Sequence, residues 1–312
     1  MDHESVVSLI ETLRRSRGAV SIPWLSPVVA TTLAALATRD IRVRDDLRDR
    51  LRLSATQRSY ANTCGLTAVL EGNYAYPTGH GQQGLTYTCL TRLSSAHEVD
   101  ACNAIINSLF HEQFGDPFEQ FVRLLSKVVG ELHDNVASHA VGTGFSSAQR
   151  YQRENTDVVQ FAIADGGVGM LHNVRQRIPG ITTDEAAIEW CLQRGNTTAP
   201  SDTDEWAQRL PDDFLVSPYP TAVATISRDD HHQGLGLWHL QQVVEAAGGR
   251  FWVASGGAQC RYVAKASGVS YHSLDPRWDG VAVEVELPIS RNSLVTDARR
   301  DVFDQLAEKL GI

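Results

Sequence analysis

"VVQFAIADGGVGM", residues 158 to 170, joins an apolar run to an acidic residue and a cluster of glycines. The apolar run predicts a strand over 158 to 165 that is covered on at least one face. Asp165 ends this strand, where its carboxylate can accept a hydrogen bond from an exocyclic amino group. Gly167 and Gly169 let the backbone adopt positive φ and approach a flat ring. The alternative is an ordinary turn after a strand, and the string lacks the third glycine of a dinucleotide-binding fingerprint.

A second polar motif lies on a predicted helix, in "ELHDNVASHA" at residues 131 to 140. Glu131, Asn135 and His139 recur every four residues, so they share one helical face. The amide oxygen of Asn135 suits Mg²⁺, which keeps much of its shell as water and phosphate. Glu131, one turn earlier, can orient or deprotonate a water. The alternative is the solvated face of an amphipathic helix whose apolar stripe is Phe118, Val122, Leu125, Val129, Leu132 and Val136.

The third motif is "HHQGLGLWHL", residues 231 to 240, directly before a predicted helix over 236 to 247. Gly234 and Gly236 open this helix, where free N–H groups and the helix dipole attract an anion. A phosphate group fits that description. The alternative is a helix that is simply entered through a flexible pair of glycines.

Taken together, the motifs are more specific than any one of them. The chain carries ExxxN on a helix, DxGxG after a strand, GxG at the start of a helix, and then an antiparallel meander. In this order it resembles the GHKL ATPases, the Bergerat-fold group that includes histidine kinases, gyrase-type topoisomerases, MutL-like proteins and anti-sigma-factor serine kinases. Glu131 and Asn135 match the N box of that group, and the two glycine motifs match its two glycine boxes. The resemblance covers residues 97 to 289.

The resemblance implies a role for each motif residue and implies ATP and Mg²⁺ as cofactors. Asp165, with Gly167 and Gly169, would bind adenine, Asn135 would bind the metal and the nucleotide, and Glu131 would be the catalytic residue that activates the nucleophile. The loop Gly234, Leu235 and Gly236 would bind the nucleotide, and 195 to 233 would be the ATP lid. His139 matches a basic position that contacts phosphates in some members, and a purely structural histidine is the alternative.

The expected fold class is α+β. A two-layer sandwich, with a mixed but largely antiparallel sheet and helices on one face, is expected over residues 97 to 290. Before it we expect a small α/β domain over 1 to 72, with strands at 18 to 24 and 41 to 46 and helices at 27 to 39 and 54 to 65. This order weakly resembles a STAS domain. Residues 73 to 96 are expected to form a linker and a strand, and 291 to 312 a C-terminal helix.

Composition limits the class of protein. The formal net charge is −9, which argues against nucleic acid or an anionic membrane as the main partner. The five cysteines are widely spaced and form no CxxC pair, which favours a reducing, cytoplasmic location. No apolar run approaches the roughly 18 residues that a membrane span needs, and no GxxxxGK[ST] string is present.

The expected function is that of a Mg-ATP-binding regulatory protein, closest to the anti-sigma-factor kinase branch. It would act on a protein partner by phosphorylation or by ATP-dependent binding, as an ATPase or protein kinase. Neither His97 nor His111 has the Pro-containing continuation of a phosphoacceptor histidine, and the stretch after 289 is short for a transducer domain. The alternatives are a nucleotide-gated interaction module with little turnover and a stand-alone ATPase of a multi-protein stress or defence system. A homodimer stays open.

Overall fold

The computed structural model describes residues 3–74, 82–115, 118–139, 142–153, 155–194, 196, 236–266, 268–289 and 297–310. Its helices are α1 (His3–Arg15), α2 (Pro27–Arg39), α3 (Ile41–Arg50), α4 (Ala55–Cys64), α5 (Leu66–Leu70), α6 (Ala96–Phe114), α7 (Glu119–His139), α8 (Gly169–Arg177), α9 (Asp184–Cys191), α10 (Gly236–Ala247) and α11 (Asp297–Leu310). Its strands are β1 (Val20–Ser21), β2 (Leu51–Arg52), β3 (Thr91–Leu93), β4 (Gly144–Arg153), β5 (Thr156–Asp165), β6 (Arg250–Val263) and β7 (Val269–Ile289). The protein therefore has the expected α+β composition.

The main sheet has five strands in the order β3-β4-β5-β7-β6, and all four of its pairings are antiparallel. The sequence predicted a mixed, largely antiparallel sheet, and the described sheet contains no parallel pair. β5 is the central strand and pairs with β4 along its whole length. Because it also pairs with β7, its backbone groups are satisfied on both sides.

Because side chains alternate in direction along each strand, the hydrophobic core is divided between the two faces of the sheet. On β5, Phe161 and Ile163 belong to one hydrophobic cluster, whereas Ala162 and Ala164 belong to another. Since successive strand residues point to opposite faces, the two clusters lie on opposite sides of the sheet. The first cluster includes the buried residues of α6, α7, α10 and α11.

The second face of the sheet is covered by the N-terminal helices. Helix α2 packs against β4 and β5, and α1 packs against β7. The helices between residues 97 and 290 contribute their buried apolar residues to the first cluster only, which agrees with the expected helices on one face. On the other face, small residues such as Ala162 and Ala164 leave room for α2 of the N-terminal segment to lie close to the strands. The segment predicted as a separate domain at 1 to 72 shares one hydrophobic cluster with this face.

Within that segment, the helices are predicted better than the strands. α2 and α4 lie where the sequence indicated, and Gly65 ends α4 with a φ of 88°. The predicted strand at 41 to 46 is instead the start of α3. Asp40 caps this helix by accepting from the N–H of Arg42, and the pairs Arg48–Asp45 and Arg50–Asp46 follow helical spacing. The alternating Ile41 and Val43 are exposed, so this pattern did not mark a buried strand face.

The C-terminal meander also differs from its prediction at one point. In the predicted antiparallel meander, the Gly-Gly pair at 256 and 257 would be a turn between two strands, but β6 continues through it with a shift in register. Gly256 has a φ of 62°, and the N–H of Gly257 donates to Asp184 at 2.8 Å. The pair is therefore a β-bulge that makes room for the start of α9.

Among the described residues of the stretch 73 to 96, which was expected to form a linker and a strand, the strand is short. Only β3 is a regular strand, and Tyr87 makes an isolated bridge to Gln149. The hydroxyl of Thr88 accepts from the N–H of Ala148 at 2.8 Å, so a side chain replaces a backbone carbonyl in the ladder. The C-terminal helix α11 is present as predicted, and its Phe303 is buried in the first cluster. No helix among the described residues is long and apolar enough to cross a lipid bilayer.

The shared second core generates a stability prediction. Leu33 of α2 is fully buried beneath the sheet, so Leu33→Ala should lower the free energy of unfolding by about 2–5 kcal/mol. Urea denaturation, followed by circular dichroism and by tryptophan fluorescence, measures this loss. The two probes should give one coincident transition, since the helices and the sheet share this core. Leu85→Ala, at an exposed position, is the control and should cost less than about 0.5 kcal/mol. A separate, earlier loss of helical signal would contradict the shared core.

Candidate functional site

Helix α7 carries Glu131 and Asn135 beside its buried stripe, as the periodicity of the sequence predicted. All six stripe residues are buried in the first cluster. Asn135 is exposed, whereas the side chain of Glu131 is 13% exposed and its Oε2 atom is buried without a hydrogen-bond partner. A buried acceptor without a donor carries a free-energy cost. The two side chains are therefore in different environments, one open to solvent and the other shielded.

His133, between these two residues in sequence, fixes the rotation of α7. Its Nδ1 lies 2.7 Å from Oδ1 of Asn103 on α6, and its Nε2 lies 2.8 Å from the hydroxyl of Ser146 on β4. Burial lowers the pKa of His133 to about 3. It is therefore neutral, with Nδ1–H donating to Asn103 and Nε2 accepting from Ser146. The sequence analysis missed this residue, although an imidazole on the apolar side of a helix is a visible signal.

Asp165 ends β5 and is almost completely buried, with 2% of its surface exposed. Its Oδ1 accepts from the N–H of Gly167 at 2.8 Å, and its Oδ2 accepts from the N–H of Val281 at 3.1 Å. Burial raises its pKa to about 6, against these two hydrogen bonds, which lower it. Each carboxylate oxygen keeps a further lone pair, so the group can still accept from a ligand donor.

The raised pKa has a definite sign for stability. In the unfolded chain the group titrates near its ordinary value of 3.8, so between that value and about 6 the folded protein binds the extra proton. Stability therefore decreases as the pH rises through this range and Asp165 becomes charged in a buried place. A ligand that donates a hydrogen bond to the carboxylate would offset this cost.

Two glycines that the sequence analysis missed bring backbone against Asp165. Gly280 has a φ of +117°, and a Cβ there would lie 2.2 Å from the backbone oxygen of Asp165. Gly144 pairs with Asp165 in the β4–β5 ladder, and a Cβ there would lie 2.2 Å from Val136 of α7 and 3.4 Å from Cβ of Asp165. The end of β5 and the C-terminal part of α7 are therefore in close proximity, with Asn135 directly before Val136.

Gly169 begins α8, although the sequence showed no clear helix at this point. Its φ is +75°, and a Cβ there would lie 2.9 Å from the hydroxyl of Ser255 on β6. The same hydroxyl accepts from the N–H of Met170 at 2.8 Å. The expected positive φ is thus present at Gly169, where it lets the backbone approach β6, whereas Gly167 does not adopt it.

Gly236 brings the glycine motif that opens α10 next to the polar motif on α7. A Cβ at Gly236 would lie 3.5 Å from Oε2 of Glu131 and 3.5 Å from Nδ2 of Asn135. The first turn of α10 is therefore in contact distance of both polar residues of α7. A Cβ at this position would be in ordinary van der Waals contact with both side chains, so the absence of a side chain at Gly236 leaves the space beside them open.

Several predicted positions lie outside the described residues. Gly234, Leu235 and the region 195 to 233 are among them, apart from Asn196. His139 is the last residue of α7, but its side chain is also outside the described set. At the two ends of this stretch, Arg194 lies over the ring of Trp238, with its guanidinium carbon 5.3 Å from the ring centroid. Arg194 and the first turn of α10 are therefore neighbours.

The N-terminal segment reaches the glycine loop from the other side. A Cβ at Gly166 would lie 2.6 Å from Cγ of Arg39 at the end of α2. The guanidinium of Arg39 pairs with Asp279 at 3.1 Å, directly before Gly280. On this side, Gly166 is consequently flanked by α2 and by the residues of β7 that precede Val281.

The sequence matches no protein-family model and no curated protein. The chemistry of the site therefore rests on its own geometry. The structure brings an exposed amide and a shielded acid on α7 against a glycine at the start of α10, and it places the buried acid that ends β5 near the same part of α7.

The residues present fit a nucleotide with one Mg²⁺. The backbone cradle around Asp165 leaves an acceptor for an amino group, and Gly236 leaves space beside Asn135 and Glu131. Among the described residues, no three His, Cys, Asp or Glu side chains form a metal cluster. A metal bound here would thus rely on the Asn135 amide together with water and phosphate, as Mg²⁺ commonly does.

The contact of Gly280 with Asp165 can be tested against a matched glycine. Gly268 also has a positive φ, of +92°, but nothing lies within 4 Å of a Cβ placed there. Gly280→Ala and Gly268→Ala should share the backbone cost of a positive φ, roughly 1–2 kcal/mol. Gly280→Ala should lose about 1–3 kcal/mol more, because its Cβ overlaps Asp165. Urea denaturation of both variants measures the difference, and equal losses would contradict the close approach.

Proposed function

We propose that this protein binds Mg-ATP as a member of the GHKL group, with a Bergerat-type arrangement of its sheet and helices, and that it regulates a protein partner. The observation that carries the proposal is the approach of Gly236 to Glu131 and Asn135, each 3.5 Å from a Cβ at that glycine. These motifs are far apart in sequence. If the three short motifs resembled this group only by chance, there would be no reason for two of them to lie next to each other in the fold.

Asp165 is proposed as the acceptor for the amino group of adenine. Its carboxylate is held by two backbone N–H groups, so its orientation is fixed before a ligand arrives. The hydrogen bond would form in a water-poor place, where a charge-assisted bond is strong. Gly167 and Gly169 add no side chain that would obstruct a flat ring.

Glu131 and Asn135 are proposed to act at the phosphate end of the nucleotide. Phosphoryl transfer from ATP would draw on bound Mg²⁺ to neutralise the developing negative charge. Asn135 would hold the metal through its exposed amide oxygen, with Gly234, Leu235 and Gly236 near the phosphates. Glu131 would accept the proton of the attacking group, and its shielded position keeps bulk water away from its carboxylate.

The physiological role proposed is regulation of a protein partner in the cytoplasm, by phosphorylation or by ATP-dependent binding. The net charge of −9 favours a protein over a nucleic acid or a membrane surface. The anti-sigma-factor kinase branch stays the nearest resemblance in sequence. The STAS-like reading of the N-terminal segment has less support, because residues 41 to 46 are helical and only the two-residue β1–β2 pair is parallel.

Asp165→Asn should weaken ATP binding about tenfold or more. The variant loses a charge-assisted hydrogen bond, which is worth about 1.5–3 kcal/mol. Isothermal titration calorimetry with Mg-ATP gives the dissociation constants. Asp157→Asn, at the opposite end of the same strand, is the matched control and should bind as the wild type does. If the two variants bind ATP equally well while both remain folded by circular dichroism, the adenine assignment is wrong.

Glu131→Ala should leave ATP affinity within about twofold of the wild type and lower phosphate release roughly 10²–10⁴-fold, the usual contribution of a general base. Phosphate release with Mg-ATP is measured alongside nucleotide affinity. Glu119→Ala, an exposed acid at the start of the same helix, should leave both unchanged. Tight binding by a wild type that releases no phosphate would favour the nucleotide-gated interaction module. Absence of any ATP binding would overturn the proposal.

A further inference from the structure

His239 lies one turn into α10 and faces the acid on α7. Its Nδ1 is 3.5 Å from Oε2 of Glu131, and its side chain is 3% exposed. Gly236, one turn earlier on the same helix, lies beside the same oxygen, which would be 3.5 Å from a Cβ at that glycine. Two helices that carry different motifs thus bring an imidazole and a carboxylate together.

The two facing atoms have no other partner among the described residues. In the part of the chain that the structure describes, Oε2 of Glu131 and Nδ1 of His239 are both buried and make no hydrogen bond. Buried polar atoms without partners are costly, and each of these two atoms is close to one that could satisfy it. An imidazole N–H and a carboxylate oxygen are a matched donor and acceptor.

We propose that His239 is a positioning residue for Glu131. Its Nδ1–H donates to Oε2 and fixes the carboxylate, so that Oε1 is directed to the proton of the attacking group. The inference rests on the proposed function, in which Glu131 is the general base. Such hydrogen bonds are often long before the nucleotide is bound and shorten in the complex. Because His239 follows Gly236 on one helix, the same helix approaches the phosphates and orients the base.

A histidine that only fills the core would behave differently from a positioning residue. Removing a core side chain lowers stability and disturbs nucleotide binding and turnover together. Removing a positioning residue lowers turnover alone, and only while the carboxylate it orients is present. The two roles are separated by measuring affinity and turnover in two backgrounds.

The experiment uses the full chain with Mg-ATP. His239→Ala should lower kcat roughly 10–100-fold, as expected for a misplaced catalytic group, with the dissociation constant for ATP within about twofold of the wild type. His239→Asn should recover most of the rate, because its amide N–H replaces Nδ1–H. In a Glu131→Gln background, His239→Ala should have no further effect. His272→Ala, an exposed histidine on β7, is the control and should keep the wild-type rate.

A second readout needs no nucleotide. Long-range ¹H–¹⁵N correlation spectra, with the His239 signals assigned from His239→Asn, report the state of its ring nitrogens. Glu131→Gln should shift the Nδ1 resonance of His239 and leave that of His272 unchanged. An unchanged Nδ1 resonance would overturn the contact, even in an active enzyme. A parallel fall of affinity and kcat, or an undiminished effect of His239→Ala in the Glu131→Gln background, would overturn the positioning role.

The proposed function can fail separately from the contact. A wild type that neither binds nor hydrolyses ATP would overturn the proposed function and, with it, the positioning of a base for phosphoryl transfer. In that case the Nδ1 shift would still decide whether His239 and Glu131 interact.

Discussion

Burial of β5 on both faces is the constraint on which the site depends. β4 and β7 pair with this strand on its two edges, and helices cover it above and below. The backbone ladder therefore fixes the position of its last residue, Asp165, opposite Gly144 and next to Val281. A carboxylate at the end of a mobile strand would turn toward water. Here its burial is tolerated because two backbone N–H groups are aimed at it.

Helix α7 is fixed by a different kind of contact. Its apolar stripe determines which side faces the sheet, but such packing allows some rotation. The paired hydrogen bonds of His133 to α6 and to β4 remove that freedom, because breaking either would leave a buried polar group unsatisfied. The directions of Glu131 and Asn135 follow from this arrangement. The neutral His133, on the buried side of α7, thus determines the directions in which Glu131 and Asn135 point.

The periodic spacing of apolar residues predicted helices and strands in which apolar side chains are buried. The helices α2 and α10 and the strand β5 were found close to their predicted bounds. Asp165 ends β5, and Glu131 and Asn135 lie on α7, where a helix was also predicted. The features that could not be predicted depend on contacts between distant segments. Three such features leave no periodic signal in the sequence: the covering of the second face by α2, the bulge at Gly256 and the approach of Gly280 to Asp165. The GHKL assignment itself stays a prediction.

The surroundings of Asp165 limit the directions from which a ligand can reach its carboxylate. On the second face, Arg39 of α2 lies against Gly166 and pairs with Asp279, so the loop is covered there. On the other face, Gly144 lies between Asp165 and Val136 of α7, the neighbour of Asn135, since a Cβ at this glycine would be close to both. A ligand that reaches the carboxylate from that side therefore extends along α7 toward the start of α10. One end would meet a buried acceptor, and the other would meet an amide, an acid and a helix N-terminus, which suits a molecule with an amino-bearing ring and an anionic tail.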